Sequence, residues 1–175
     1  MSHPTLAAIR FDDADVDSLL EQTVKTLVSQ GHTVRGALQT RGETGGECHC
    51  ADMDLHVIGQ DRVFRISQPL GNGSRGCRLH PGALADCAAF LQAELDDNVD
   101  LLVLNRFGRG ESEGRGFRDL IASALSKGIP VLTALRPTYC ESWAAFGGEL
   151  ARDLPMTQSA VLEWFADTRT LCHAA

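Results

Sequence analysis

The run Leu101-Leu102-Val103-Leu104 constrains this chain more than any other stretch. Four consecutive apolar residues leave neither face for water, so a strand made from them must lie between two layers of apolar cover. That is the place of a central strand in a parallel sheet. Ile129 to Leu135 has the same character, and Leu6 to Phe11 reads as a short buried strand. Helical spacing appears between such runs. Val16, Leu19, Leu20, Val24, Leu27 and Val28 recur up to Gly31, and Leu84, Cys87, Ala88, Leu91 and Leu95 follow Pro81, which opens a helix with His80 near its N-cap. Leu120, Ile121, Ala124 and Leu125 make a third helix, and Tyr139 to Leu150 and Gln158 to Leu171 two more, separated by Pro155.

Thr33 to Leu38 adds a strand, and Met53 to Ile58 with Val63 to Ser67 reads as a hairpin turning at Gly59-Gln60-Asp61. Alternating strands and helices imply parallel crossovers. The expected fold is therefore α/β, a doubly wound, mostly parallel, Rossmann-like sheet with a short inserted β-hairpin. With no repeat or linker visible, residues 1–175 read as one domain. In such sheets a ligand lies outside the carboxyl ends of the strands.

The formal net charge of −7 argues against nonspecific nucleic-acid binding, which needs a positive field. No stretch approaches the roughly 18 to 20 apolar residues of a membrane helix, and Met1-Ser2-His3-Pro4 does not open a secretory signal, so a cytoplasmic protein without a membrane partner is expected. The six cysteines, Cys48, Cys50, Cys77, Cys87, Cys140 and Cys172, read as reduced thiols. Basic residues are 14 Arg and two Lys, and Arg75, Arg78, Arg106, Arg109, Arg115 and Arg136 fall in loops expected just after strands.

Two of those loops suit an anion. Ser67-Gln68-Pro69-Leu70-Gly71-Asn72-Gly73-Ser74-Arg75-Gly76-Cys77-Arg78 joins a strand to a helix; its glycines let backbone N–H groups turn inward, and the helix start adds partial positive charge. Asn105-Arg106-Phe107-Gly108-Arg109-Gly110-Glu111-Ser112-Glu113-Gly114-Arg115-Gly116 follows the central strand in the position of a Walker B segment. Asn105 stands there in place of the carboxylate that magnesium requires. The expected anion donors are Ser67, Gln68, Gly73, Ser74, Gly76, Arg78, Asn105, Arg106, Arg109, Arg115 and Arg136, with Glu111 and Glu113 as polar partners or weak metal ligands. The plainer alternatives are a flexible loop in the first case and a solvated set of mutually paired Arg and Glu in the second.

The connection Arg10-Phe11-Asp12-Asp13-Ala14-Asp15-Val16-Asp17 excludes a standard phosphate-binding loop, which needs glycines and a Lys before Ser or Thr. Its four aspartates read as helix-capping and macrodipole partners. Cys48-His49-Cys50, with help from Cys77 or His80, is a candidate soft-metal or redox site, although one residue between cysteines is closer than the familiar zinc spacing. No catalytic set can be specified, because such partners meet in space and not in sequence. Trp143, Phe146, Trp164 and Phe165 read as core or interface, and Trp143, Trp164 and Phe165 could support a homo-oligomer.

Taken together, Cys48-His49-Cys50-Ala51-Asp52-Met53-Asp54-Leu55, Ile66-Ser67-Gln68 with Gly76-Cys77-Arg78-Leu79, and Leu104-Asn105-Arg106-Phe107-Gly108 with Glu111 and Glu113-Gly114-Arg115-Gly116 resemble the bacterial family known as domain of unknown function 2478. The resemblance runs from about Leu6 to Pro155. It implies a layout similar to P-loop nucleoside triphosphatases without the Walker A motif, and genes often found beside molybdate-transport genes. It therefore implies molybdate or tungstate as ligand, with no established activity or certain cofactor. At His80 this sequence departs from the aspartate expected in relatives, which puts a metal role there in doubt. The resulting expectation is an oxyanion-binding protein for molybdate or tungstate handling or storage, with a small inorganic anion as partner and no catalytic turnover. The alternatives are a divergent nucleotide-binding enzyme and a metal or redox sensor at the Cys-His-Cys loop.

Overall fold

The computed structural model describes residues 5–41, 53–69 and 77–172, with the backbone alone for Arg41, Gln68, Pro69, Cys77, Arg78, Leu171 and Cys172. In chain order the elements are β1 (Leu6–Arg10), α1 (Val16–Ser29), β2 (Val34–Arg41), β3 (Met53–Val57), β4 (Val63–Arg65), β5 (Ser67–Pro69), β6 (Cys77–Leu79), α2 (Pro81–Ala93), β7 (Leu101–Leu104), α3 (Arg109–Ser112), α4 (Arg118–Ser126), β8 (Val131–Leu135), α5 (Cys140–Gly147), β9 (Ala151–Leu154) and α6 (Gln158–Cys172). Short 3-10 turns flank α5 at Pro137–Tyr139 and Gly148–Leu150.

Seven strands form one sheet in the order β4-β3-β2-β7-β8-β1-β9. The pairs from β2 to β9 are parallel, and β3 and β4 extend the β2 edge as an antiparallel hairpin. The expected doubly wound α/β sheet with its inserted hairpin is what the chain builds. Alternation along each central strand divides the interior in two. Leu6, Ala8, Leu102, Leu104, Val131 and Leu135 face a core closed by Leu84, Leu91, Leu120, Ile121 and Trp143 of α2, α4 and α5. Ala7, Ile9, Leu101, Val103, Leu132 and Ala134 face another, closed by Leu20, Val24 and Leu27 of α1 and by Val161, Trp164 and Phe165 of α6.

The helix starts follow their sequence signals. Asp15 caps α1, its carboxylate accepting from the Ser18 N–H at 3.1 Å and the Ser18 hydroxyl at 2.6 Å. His80 caps α2, with Nδ1 accepting from the Ala83 N–H at 2.9 Å ahead of Pro81. The Cys87 thiol is buried, and that burial pushes its pKa up to about 12 against the pull of Arg62, so it stays a thiol at neutral pH. Cys140 is likewise free. Among the described residues no helix is long and apolar enough to cross a membrane.

Three expectations are corrected. Ala151–Leu154 is a strand at the sheet edge, parallel to β1, where the sequence reading ran from one helix to the next. Its central Arg152 and Asp153 are exposed, so it carries no apolar strand pattern. Ser67–Pro69 and Cys77–Leu79 form a two-stranded antiparallel ladder inside what reads as loop. Trp143, Trp164 and Phe165 are each 2% exposed, so they belong to the chain's own core and offer no surface to a second copy.

Two features of the sheet yield predictions. Gly36 in β2 has φ +133°, and a Cβ there would stand 1.8 Å from the Val103 carbonyl oxygen of β7. Gly36→Ala should therefore cost about 2–4 kcal/mol, read as a lowered urea midpoint. Asp100 accepts the Thr33 N–H at 2.8 Å, hydrogen-bonds Arg169 and lies 3.8 Å from His32. Burial is the largest single influence on its carboxyl and opposes ionisation, but the Thr33, Arg169 and His32 contacts together outweigh it and hold the pKa below the usual value. A depressed carboxyl pKa contributes stability that is fully present above the unfolded value of about 3.9 and is lost as pH falls through the folded one. Asp100→Asn should thus be less stable than the parent at pH 7, with the gap closing as pH falls below the ordinary carboxylate range in parallel urea titrations.

Candidate functional site

The connections leaving β1 and β8 part to opposite faces of the sheet, to α1 on one side and α5 on the other. A crevice opens at the carboxyl ends where they part. The backbone runs in register past the strand ends there: Phe11 N–H donates to the Leu135 carbonyl at 3.2 Å and Phe107 N–H to the Ala134 carbonyl at 2.9 Å. These bonds fix Phe11, Arg106 and Arg136 side by side. The ring of Phe11, 6% exposed, has the Arg106 guanidinium 4.7 Å and the Arg136 guanidinium 5.1 Å from its centroid.

The two arginines differ in their partners. Arg106 forms a fork with Asp17 of α1, Nη1 to Oδ1 at 2.8 Å and Nη2 to Oδ2 at 3.0 Å, and its Nη1 also donates to the Asn105 carbonyl at 2.7 Å. Both side chains of that pair are about three-quarters buried, at 25% and 24% exposure. Arg136 is exposed and its guanidinium makes no hydrogen bond or ion pair among the described residues. Between them a cleft of about 520 Å³ is lined by Phe11, Asp13, Asp15, Asp17, Glu21, Gln39, Thr40, Arg106 and Arg136. A second hollow of about 330 Å³ shares Asp17, Gln39, Arg106 and Arg136 and runs on towards Ile66, Leu84 and Phe117. At its floor Asn105, 4% exposed, donates from Nδ2 to Gln39 Oε1 at 3.1 Å across the β7 to β2 ladder.

Of the anion donors expected from sequence, the structure brings Asn105, Arg106 and Arg136 together. Arg109 and Arg115 are not joined to them. Arg109 borders the second hollow, but its Nε donates to Glu113 Oε1 at 2.9 Å and Arg115 bonds the other oxygen of the same carboxylate, all in solvent. The hydrogen bonds from Arg109 and then Arg115 hold the Glu113 carboxyl below its ordinary value. Ser67 is buried and its hydroxyl accepts the Met53 N–H at 2.9 Å, which ties the hairpin to β5. Gln68, Cys77 and Arg78 lie on the β5 to β6 ladder. Gly73, Ser74, Arg75 and Gly76, and the candidate metal residues Cys48, His49 and Cys50, lie outside the described residues.

Glu111 is not placed as a metal ligand. Its carboxylate, 5% exposed, accepts the Gly108 N–H at 2.9 Å through one oxygen and the Phe117 N–H at 2.9 Å through the other, and so clasps the ends of the loop between β7 and α4. Gly116, at φ +63°, makes room for it, since a Cβ would come 2.2 Å from Glu111 Oε1. Among the described residues no three His, Cys, Asp or Glu side chains gather as a metal site.

A family model described as protein of unknown function (DUF2478) matches residues 6–164. The chain belongs to that family. The DUF2478 chain is also 34% identical over 154 residues to "Molybdenum import ATP-binding protein ModC 2" of Bradyrhizobium diazoefficiens; the match takes in 88% of this chain and 17% of that protein. The chain therefore spans a small fraction of the length of the curated relative it matches. A solved structure, the solution structure of a human cancer-related nucleoside triphosphatase, superposes with a TM-score of 0.66 over 97% of each chain at 15% identity. This chain accordingly shares the α/β fold of that triphosphatase.

That likeness exposes what sequence reasoning missed. A phosphate-binding loop reads G-x-x-x-x-G-K-[ST] between a strand and a helix. Counted from the end of β1, Phe11 and Val16 fall on the glycine positions, Ser18 on the hydroxyl position and Asp17 on the lysine. Asp17 reads from sequence as a macrodipole partner, and its place one residue inside the helix, beyond the cap at Asp15, is the available sign of another role. For the loop clasp the expected outcome is firm: Glu111→Gln leaves one main-chain N–H facing an amide NH2, and it should cost about 1–3 kcal/mol of stability by urea denaturation.

Proposed function

We propose that the cleft at the carboxyl ends of β1 and β8 binds a small oxyanion through Arg136, in molybdate or tungstate handling or storage, without turnover. The observation that carries this reading is the exposed Arg136 guanidinium, which borders the cleft without an ion pair among the described residues and shares the Phe11 ring with Arg106. A planar guanidinium presents paired N–H groups that match two oxygens of a tetrahedral anion. The molybdenum-import name of the DUF2478 relative supports the choice of anion.

Hydrolysis of a nucleotide is the weaker reading because the residues at its key positions carry the wrong charge. The β1 to α1 connection carries Asp17 and no lysine to meet phosphate, and Asn105 follows β7 where a carboxylate would hold magnesium. Nucleotide binding stays as the second reading, favoured by the likeness to a nucleoside triphosphatase and by the ATP-binding name of the relative.

A thermal-shift and calorimetric series with molybdate, tungstate, sulfate, phosphate, and ATP with and without magnesium separates the two. Selective stabilisation by molybdate or tungstate is expected. Arg136→Ala should weaken that binding by ~10-fold or more, the worth of a charged hydrogen-bond pair, and Arg109→Ala should leave it unchanged. Equal affinity in Arg136→Ala and parent overturns the location, and a shift confined to magnesium with ATP overturns the ligand class.

A further inference from the structure

The Arg106 to Asp17 fork lines the cleft at the carboxyl ends of the strands, where the first turn of α1 begins. A carboxylate and a phosphoryl group offer the same paired oxygens to a guanidinium. Asp17 presents its two at 2.8 and 3.0 Å, within ordinary hydrogen-bond distance. The pair is three-quarters shielded from water, so an incoming anion meets an arginine whose charge is already answered. Around it stand Asp13, Asp15 and Glu21, which repel an extended chain of phosphates. Arg136 lies against the same Phe11 ring with no carboxylate on it among the described residues.

We propose that Asp17 is the specificity-determining residue of the cleft: it acts as a built-in anion on Arg106, confines ligand charge to the single seat at Arg136, and thereby admits compact oxyanions while refusing polyphosphates. The reading of Arg136 as an oxyanion seat underlies the first half of this statement, and the refusal of polyphosphates stands on the Asp17 to Arg106 fork, reinforced by the carboxylates of Asp13, Asp15 and Glu21 around it. Removing the carboxylate charge leaves Arg106 buried without its counter-ion, a situation that an external anion relieves.

The test is titration calorimetry of the full chain with sodium tripolyphosphate and with magnesium-free ATP. Asp17→Asn keeps the shape of the side chain and loses its charge. It is expected to bind tripolyphosphate ~10-fold or more tightly than the parent, with a larger rise in Tm on addition of that anion. The double variant Asp17→Asn with Arg106→Gln should lose the gain. Asp17→Ser, which also suits the first turn of a helix, serves in its place should the amide variant unfold, as judged by circular dichroism. A folded single variant that binds tripolyphosphate no better than the parent overturns the proposal, as does a gain that persists without Arg106, which would trace to the general field of the cleft. Molybdate measured alongside on the parent and on Arg136→Ala separates the two ideas. Absence of molybdate binding with a tripolyphosphate gain at Asp17→Asn removes the oxyanion reading alone, and molybdate binding that depends on Arg136 with no gain at Asp17→Asn removes the role of Asp17 alone.

Discussion

The lateral pairing of β1 with β8 is the constraint from which the rest of this molecule follows. Five residue pairs, from Leu6 with Val131 to Arg10 with Leu135, join segments far apart in the chain, and on each side of this seam the sheet is extended by strands that depend on it. Because the strands are parallel, their carboxyl ends finish together, and the main-chain bonds of Phe11 and Phe107 carry the order one residue beyond β1 and three beyond β7. The seam also divides the helices, with α1 covering one face and α5 the other, so the floor of the cleft is rigid core and its walls are the first turns of separate elements. A side chain on such a floor is held by packing, which is what a binding group needs.

Within that frame the distribution of charge is uneven. The chain is acidic overall, and three of the four aspartates in the β1 to α1 connection line the crevice beside the two guanidinium groups, yet only Asp17 is hydrogen-bonded to one of them among the described residues. Arg106 is met by one aspartate at the start of α1, and Arg136 leans on an aromatic ring that neutralises nothing. Cation and aromatic ring attract without cancelling the positive charge, so Arg136 keeps its field. The loop clasped by Glu111 shows another solution, in which Arg109 and Arg115 share the one carboxylate of Glu113 and neither guanidinium stands without a counter-ion.

Much of the fold was legible in the amino-acid order because the central strands are apolar on both faces and the helices between them keep a strict period. Leu101–Leu104 and Val131–Leu135 announce themselves in that way. Ala151–Leu154 does not, since an edge strand with an exposed Arg-Asp centre carries no such pattern and acquires its role only from β1 beside it. The site was legible in part. Arginines after strand ends pointed to Arg106 and Arg136, because the topology gathers those ends. The same signal also picked out Arg109 and Arg115, which a short helix turns towards Glu113. The partner of Arg106 was hidden because 89 residues separate it from Asp17, and local reasoning assigns an aspartate in a first helical turn to the helix itself.

The fork between Asp17 and Arg106 has a bearing on how proteins of this kind change over generations. A lysine at position 17 would face Arg106 as a second, largely shielded cation and unsettle the start of α1. Loss of Arg106 alone would in turn strand the Asp17 carboxylate. Each residue makes the other's replacement harmful, so the two behave as one inherited unit, changed together or through an uncharged residue at one of them.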